Sequence, residues 1–369
     1  MIIKKLILKN FRNYDFAELE FSDSRNLFFG ENAQGKTNLL EAVFYLSCLK
    51  TFRGSRDSDV IKTGCSEASI KGVFDCYGRK IEVFCEITRT GRKLFVNGIR
   101  EMRPSDHIGL IKTVSFSPDD LQLIKEGPAE RRRFMNISVS QLRPGYIKAL
   151  HEHNKIIENK RKILKMEEER ASYLDFYDVL NEKLAKVSAY LTLERGRFLK
   201  NIEETANRVE AQISGGREEL KIVYNHDSAI EDTSASSNEE RIYEHLKKRK
   251  EAELASGMCL VGSHRDDFTV YINGKSARDF ASQGQIRSAV LAIKVAEHEI
   301  TEKDSGEKPI FLLDDVLSEL DPTRRSFLLN DIGRGQTIIT GCDPSMFSEL
   351  SHGRIFTISG GEIANKTEN

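Results

Sequence analysis

Apolar and polar residues alternate with a period of two over Ile2–Leu8, Ala17–Phe21, Ala68–Asp75, Ile81–Thr88 and Lys93–Val96, and Asn26–Phe29 carries the short apolar run Leu27-Phe28-Phe29. This texture predicts β-strands across most of the first 120 residues. The step Val96-Asn97-Gly98-Ile99 predicts a two-residue hairpin turn of type I′. One helix interrupts the strands: Thr37–Leu49 sets Leu39, Leu40, Val43, Leu46 and Leu49 on one side at helical spacing. From about Pro128 the pattern changes to long helical stretches, Tyr146–Met166, Tyr173–Ala211 and Glu239–Leu254, with a small polar loop predicted at Asp227–Asn238. Strand character returns at Phe268–Ile272, Ile310–Leu313, Thr337–Thr340 and Ile355–Ile358, with a helix over Gly284–Ile300. Two ends of one texture around a helical insertion predict an α/β domain built from residues 1–126 and 256–369, and a helical lobe at 127–255.

Composition narrows the function. Lys and Arg number 56 against 57 Asp and Glu, a net charge of −1, which excludes a basic coat over the whole surface; any nucleic-acid surface must be local. No apolar run approaches the roughly 20 residues of a membrane span, and the opening Met1–Lys9 is broken by lysines with no small-residue cleavage pattern. Neither export nor membrane insertion is expected. Cys48, Cys65, Cys76, Cys85, Cys259 and Cys342 are too scattered for a metal pair or a disulfide scaffold, and read as reduced thiols of a cytoplasmic protein.

The strongest chemical signal is Gly30-Glu31-Asn32-Ala33-Gln34-Gly35-Lys36-Thr37, which matches G-x-x-x-x-G-K-[ST] between a predicted strand and a predicted helix. Glycines let such a loop curl so that backbone N–H groups point at phosphates, and the following helix adds its positive end. Lys36 is then the group that reaches the β- and γ-phosphates of ATP, and Thr37 a ligand of Mg²⁺. That chemistry needs a carboxylate at the end of a buried strand. Ile310-Phe311-Leu312-Leu313-Asp314-Asp315 supplies it, with Asp314 expected on Mg²⁺ and Asp315 as the base that polarises an attacking water. Ser282-Gln283-Gly284-Gln285 opens a helix, where a hydroxyl and a glycine N–H form an anion site only in the company of the other motifs.

In this order, with Ser318-Glu319-Leu320-Asp321 following the acidic strand, the motifs resemble the head of an ABC-type ATPase of the SMC-like branch. The chain is most similar to the RecF family of bacterial recombination mediators. Asn10-Phe11-Arg12-Asn13-Tyr14, Ser117-Pro118-Asp119-Asp120-Leu121, Gly127–Phe134 and His264-Arg265-Asp266-Asp267 carry the likeness along nearly the whole length. The 278 residues from Lys36 to Asp314 are too few for a long SMC coiled coil. Ser263 and Gly341-Cys342 depart from the family's usual Pro and Thr-rich run, and the Mg²⁺-sensing Gln has no clear counterpart, because the equivalent strand end reads Ser117-Pro118-Asp119. The resemblance implies an ABC-type P-loop ATPase head with an inserted helical lobe. It implies that Arg12 joins the nucleotide contacts, and that Ser282 and Gly284 complete a catalytic site across an ATP-dependent homodimer. It further implies weak DNA-dependent ATPase activity, DNA gaps or junctions as the target, and RecR, RecO and RecA as partners. A P-loop small-molecule kinase and a transporter-associated ATPase are the alternatives.

Ten cations lie between Arg131 and Lys165 against Glu152 and Glu158, a local charge of +8. Arg131-Arg132-Arg133 and Lys160-Arg161-Lys162 are its densest parts, and this run is the expected contact for a DNA backbone. Residues 89–103 add Arg89, Arg92, Lys93, Arg100 and Arg103 against Glu101.

Overall fold

The computed structural model of the chain describes residues 1–52, 54–166, 170–226, 235–331, 335–342 and 353–368. Strands β1 (Ile2–Phe11), β2 (Tyr14–Glu20) and β3 (Arg25–Phe29) lead into helix α1 (Lys36–Cys48). Strands β4 (Glu67–Cys76), β5 (Arg79–Thr88), β6 (Gly91–Val96) and β7 (Ile99–Glu101) form a meander, followed by β8 (Thr113–Phe116). Helices α2 (Pro128–Leu142), α3 (Pro144–Leu164) and α4 (Leu174–Ser214) precede β9 (Leu220–Asn225), α5 (Ala235–Ser256), β10 (Asp267–Ile272), β11 (Lys275–Ser276) and α6 (Gln283–Ser305). The chain closes with β12 (Ile310–Asp314), α7 (Pro322–Asp331), β13 (Thr337–Gly341), β14 (Arg354–Ser359) and β15 (Glu362–Glu368).

These elements group into two compact units, one of Met1–Leu121, Arg208–Arg217 and Arg287–Asn369, the other of Gln122–Asn207 and Glu218–Ile286. The first unit has two six-stranded sheets. One is antiparallel, in the order β2-β1-β4-β5-β6-β7. The other runs β15-β14-β3-β13-β12-β8, and its five strands from β14 to β8 pair parallel. Helix α1 packs against strands of both sheets. The sequence pattern gives α1 a single apolar side; in the structure Ala42, Phe44 and Tyr45 are buried as well, because a helix held between two sheets has no solvent face.

The parallel sheet explains its own sequence. All five residues of β12 and of β13 are buried, and strands covered on both faces read as continuous apolar runs. In the other sheet β4 buries every second residue, the alternation expected of a half-covered strand. Asn97 (φ 50°) and Gly98 (φ 80°) are both left-handed between paired Val96 and Ile99, as a type I′ turn requires.

In the second unit Leu180, Leu184 and Leu191 of α4 are buried, and the Phe134 ring packs on Phe198 and Phe268. Its three-stranded sheet, in the order β11-β10-β9, was not expected in a helical lobe. Because β10 pairs antiparallel with β9, residues 256–286 group with this unit rather than with the P-loop unit, and the divisions fall after Leu121 and Ile286 rather than at 126 and 255. Of the expected loop Asp227–Asn238, residues 227–234 lie outside the described residues, and Ala235–Asn238 already form the first turn of α5. All six cysteines are free thiols. Among the described residues no helix is long and apolar enough to cross a membrane.

Candidate functional site

Strand β3 lies inside the parallel sheet between β13 and β14, so the loop that leaves its end rises from the middle of the sheet. Two close approaches fix the glycines of that loop. A Cβ on Gly30 would sit 2.3 Å from the Ile358 carbonyl oxygen, and one on Gly35, at φ 107°, would meet the Asn13 amide at 2.5 Å. Ala33 is also left-handed, at φ 64°. Glu31, Asn32 and Ala33 are exposed and Gln34 half-buried, whereas Gly35 and Lys36 are buried where the loop becomes α1. The Lys36 ammonium donates to the carbonyls of Gly30 and of Glu31 (3.0 Å), and lies 3.3 Å from Cys342 Sγ, which in turn approaches Asn32 Oδ1 at 2.9 Å.

The acidic strand end is adjacent. Asp314 pairs with Thr340 across β12 and β13, and its Oδ1 accepts 2.8 Å hydrogen bonds from both Thr37 Oγ1 and Thr340 Oγ1. Thr340 Oγ1 also accepts from the Asp315 N–H at 2.9 Å, so one hydroxyl aligns both aspartates. Asp315 leaves the strand with φ 53°, and its buried Oδ1 has no hydrogen-bond partner. An unpartnered carboxylate oxygen inside a protein carries a desolvation cost unless something polar meets it, which fits a water or ligand site. The hydroxyl of Thr37 and the carboxylate of Asp314 form a hard, oxygen-only donor pair of the kind Mg²⁺ prefers. β8, on the far side of β12, ends beside this point. There Ser117, at the strand end equivalent to that of the family's Mg²⁺-sensing Gln, donates its N–H to Asp120 Oδ2 at 2.7 Å.

The N-terminal motif proves to be a brace for the phosphate loop. Asn13 Nδ2 donates to the Gln34 carbonyl (3.0 Å) and Asn13 Oδ1 accepts from Asn38 Nδ2 (2.8 Å), while the Tyr14 hydroxyl donates to the Gly35 carbonyl (3.0 Å). Of this segment the sequence places only Arg12 in the site; Asn13 and Tyr14 stand beside it in the same motif. The Arg12 guanidinium makes a bidentate pair with Glu41 of α1 (2.7 and 2.9 Å) and donates to the Asp59 carbonyl. Ser282 caps α6 in a reciprocal box: Gln285 N–H donates to Ser282 Oγ, and Ser282 N–H to Gln285 Oε1. Gly284 follows within the first turn.

The basic run does not form one surface. Arg131 is buried in a bidentate pair with Asp267 (2.6 and 2.9 Å), and Arg132 donates to the Asp266 carbonyl. Lys160 is fully buried against Glu253 (2.9 Å) and Asn181 (2.6 Å), over the Tyr177 ring. Arg143 pairs with Glu194, and Lys162 with Glu158. Lys155, Arg161 and Lys165 are exposed on and just after α3. The dense triplets therefore mix core ion pairs with solvated cations, which a count of charge along the chain does not separate.

The RecF/RecN/SMC N-terminal domain family model matches residues 2–360. A DNA replication and repair protein RecF from Listeria monocytogenes serotype 4b is 40% identical over 342 residues, 92% of each chain. The chain belongs to the RecF family. A RecF relative from Halalkalibacterium halodurans is 36% identical over 99% of this chain and 100% of its own. The solved structure of the recombination mediator protein RecF-ATP in the RecFOR pathway superposes with a TM-score of 0.90 at 32% identity, covering 99% of this chain and 97% of that one. An Smc head bound to the C-winged helix domain of ScpA, 16% identical with a TM-score of 0.57, shares the fold. The fold is thus the α/β ABC-type ATPase head. In this RecF-family chain the His264–Asp267 segment is a structural anchor. Asp266 accepts from Arg195 (2.9 Å), Thr192 (2.9 Å) and Tyr224 (2.6 Å) in the interior of the second unit.

Proposed function

We propose that this chain is an ATP-operated DNA-binding switch of replication and recombinational repair in the cytoplasm. The observation that carries the reading is the convergence of Thr37 and Thr340 on Asp314 below a strand–loop–helix phosphate cradle, with the unpartnered oxygen of Asp315 beside it. In this reading residues Gly30 to Thr37 bind the ATP phosphates, and Lys36 exchanges its two loop carbonyls for phosphate oxygens. Thr37 and Asp314 would hold Mg²⁺, which would supply positive charge beside the β- and γ-phosphates. Asp315 accepts the proton of the attacking water; an Asp reaches about one methylene less far than a Glu, so slow turnover is expected. Arg12, tied to Glu41 on α1, supports the reading as a nucleotide contact only through the family likeness.

Ser282 and Gly284 of a second copy complete each site in a head-to-head dimer, so that the free energy of ATP binding becomes association energy. The dimer holds duplex backbone at single-strand gaps or junctions without reading bases, and hydrolysis releases it. RecR, RecO and RecA are the partners that such a mediator serves. Sedimentation of the full chain with and without ATP and gapped DNA tests this reading. A monomer that becomes a dimer with ATP, and a heavier species with ATP and DNA, is expected; a chain whose sedimentation ignores ATP overturns it.

A further inference from the structure

Lys125 ends the short helix Gln122–Lys125, whose Leu123 and Ile124 are buried while the lysine is exposed. Its ammonium donates to Gln283 Oε1 at 2.8 Å and has no carboxylate partner among the described residues. Gln283 stands between Ser282 and Gly284 at the start of α6, in the second unit, to which Lys125 also belongs. Arg131 fixes the segment that carries the lysine. It donates to the carbonyls of Leu123 (3.1 Å) and Glu126 (2.8 Å), on either side of Lys125, with the same guanidinium that pairs with Asp267 at the start of β10. The Gly127–Phe134 motif thus contains the anchor that sets Lys125 beside the start of α6. No acidic residue stands in the first turn of that helix, so its positive end and the Lys125 charge add without an offset.

We propose that Lys125 is a further residue of the ATP site, acting on the γ-phosphate held by a second copy, and this rests on the shared-site reading above. An ammonium on a neutral amide oxygen gains when a phosphate oxygen takes that place, because the phosphate charge adds to the hydrogen bond. Lys36 rests on neutral carbonyls in the same way, and in the shared site the two lysines meet one γ-phosphate from different copies. The Ser282 hydroxyl and the Gly284 N–H supply directed donors without a full charge; Lys125 supplies the charge. In hydrolysis the water oxygen bonds to the γ-phosphorus, the bond from that phosphorus to the bridging oxygen of ADP breaks, and the water's proton passes to Asp315. Lys125 keeps its own protons and offsets charge on the γ-phosphate oxygens. A role in capping α6 alone is a poorer fit, because a helix N-terminus is stabilised by acceptors and anions and a cation beside it is unfavourable until an anion lies between them.

ATP turnover by the full chain is measured for Lys125→Met, for Lys125→Arg, and for mixtures of Lys125→Met with Lys36→Ala or Ser282→Arg chains. Lys125→Met should lose about a hundredfold in turnover, the low end for removing one charge-stabilising donor. Lys125→Arg should keep most of it, because the cation is retained. Lys125 is exposed, and unchanged melting of both variants is the control for folding. A mixed dimer of Lys125→Met and Lys36→Ala has one site with neither defect, since the Lys36→Ala chain brings its own Lys125 to the intact phosphate loop of the other, so turnover should return on mixing. Lys125→Met with Ser282→Arg leaves one defect in each site, and turnover should stay absent. Rescue by Ser282→Arg chains would place Lys125 at the phosphate loop of its own chain and overturn the proposal. Wild-type turnover in Lys125→Met, with or without weaker binding to DNA, overturns it as well and leaves the lysine to the DNA backbone or to solvent. If Lys36→Ala and Ser282→Arg chains fail to rescue each other, the shared-site reading falls and Lys125 with it. Rescue of that pair without rescue of Lys125→Met by Lys36→Ala overturns the role of Lys125 alone.

Discussion

The binding role proposed for Lys36 and the base role proposed for Asp315 are separable by chemistry. The Lys36 ammonium is held by loop carbonyls that a phosphate would replace in the proposed reading, so Lys36→Ala should abolish ATP binding, read by fluorescence of a labelled nucleotide. Asp315→Asn keeps shape and leaves Thr37 and Asp314 intact; binding should persist while turnover falls by about a hundredfold or more, the usual contribution of a positioned base. Equal loss of binding in both variants would place Asp315 in the phosphate grip and return the base role to another group. The residues of this site were legible in the sequence because each belongs to a motif with fixed spacing. Their supports were not: Asn13 and Tyr14 reach the loop from the β1–β2 turn and the start of β2, and Thr340 meets Asp314 only through the pairing of β12 with β13. Such contacts are set by sheet order, which period and composition do not encode.

Among elements, α3 shows why a charged run is a poor guide to a surface. Lys160 has the same charge as Arg161 and Lys162 but faces the interior, hydrogen-bonded to Glu253 and Asn181. Lys160→Ala leaves a buried Glu253 without its cation, and the second unit should lose about 3–5 kcal/mol in urea unfolding. Substituting exposed Arg161 or Lys165 should change stability by less than about 0.5 kcal/mol. The apolar spacing on α3 and α4 was readable; the burial of a lysine on the same helix was not, because its partner stands on α5. A second consequence concerns pH. Burial, with His264 and Arg195 nearby, pushes His153 down to about 3, and burial with Arg161, Lys160 and Arg265 nearby pushes His264 down to about 4. Both stay neutral when folded, whereas the unfolded chain takes up their protons below about pH 6.5. Stability is therefore full above that pH and lost as pH falls from about 6.5 toward 4, by about 2 kcal/mol per histidine at pH 5. Comparing melts at pH 7.5 and 5.0, His153→Leu should show a smaller drop than the wild type; an equal drop would assign the acid sensitivity to carboxylates.

For the whole molecule the decisive question is whether one chain holds a complete ATP site. In the proposed dimer Lys36 and Thr37 come from one copy and Ser282 and Gly284 from the other, so Lys36→Ala and Ser282→Arg chains should each fail alone as hydrolases. Their mixture is informative because a mixed dimer has one site with both defects and one with neither. The intact site takes its Lys36 from the Ser282→Arg chain and its Ser282 from the Lys36→Ala chain. Turnover should return in part on mixing and rise with total protein concentration, since association makes the site. Ser282 also caps α6, and losing that cap costs about 1 kcal/mol, so the melting temperature of Ser282→Arg must show that the chain is folded under the assay conditions. Heterodimer formation is measured in parallel by sedimentation with ATP. Heterodimers that form and hydrolyse ATP support sites shared between copies. Hydrolysis by the isolated Ser282→Arg monomer, at a rate per chain independent of concentration, would show that a single head is sufficient and that dimerisation serves DNA rather than catalysis.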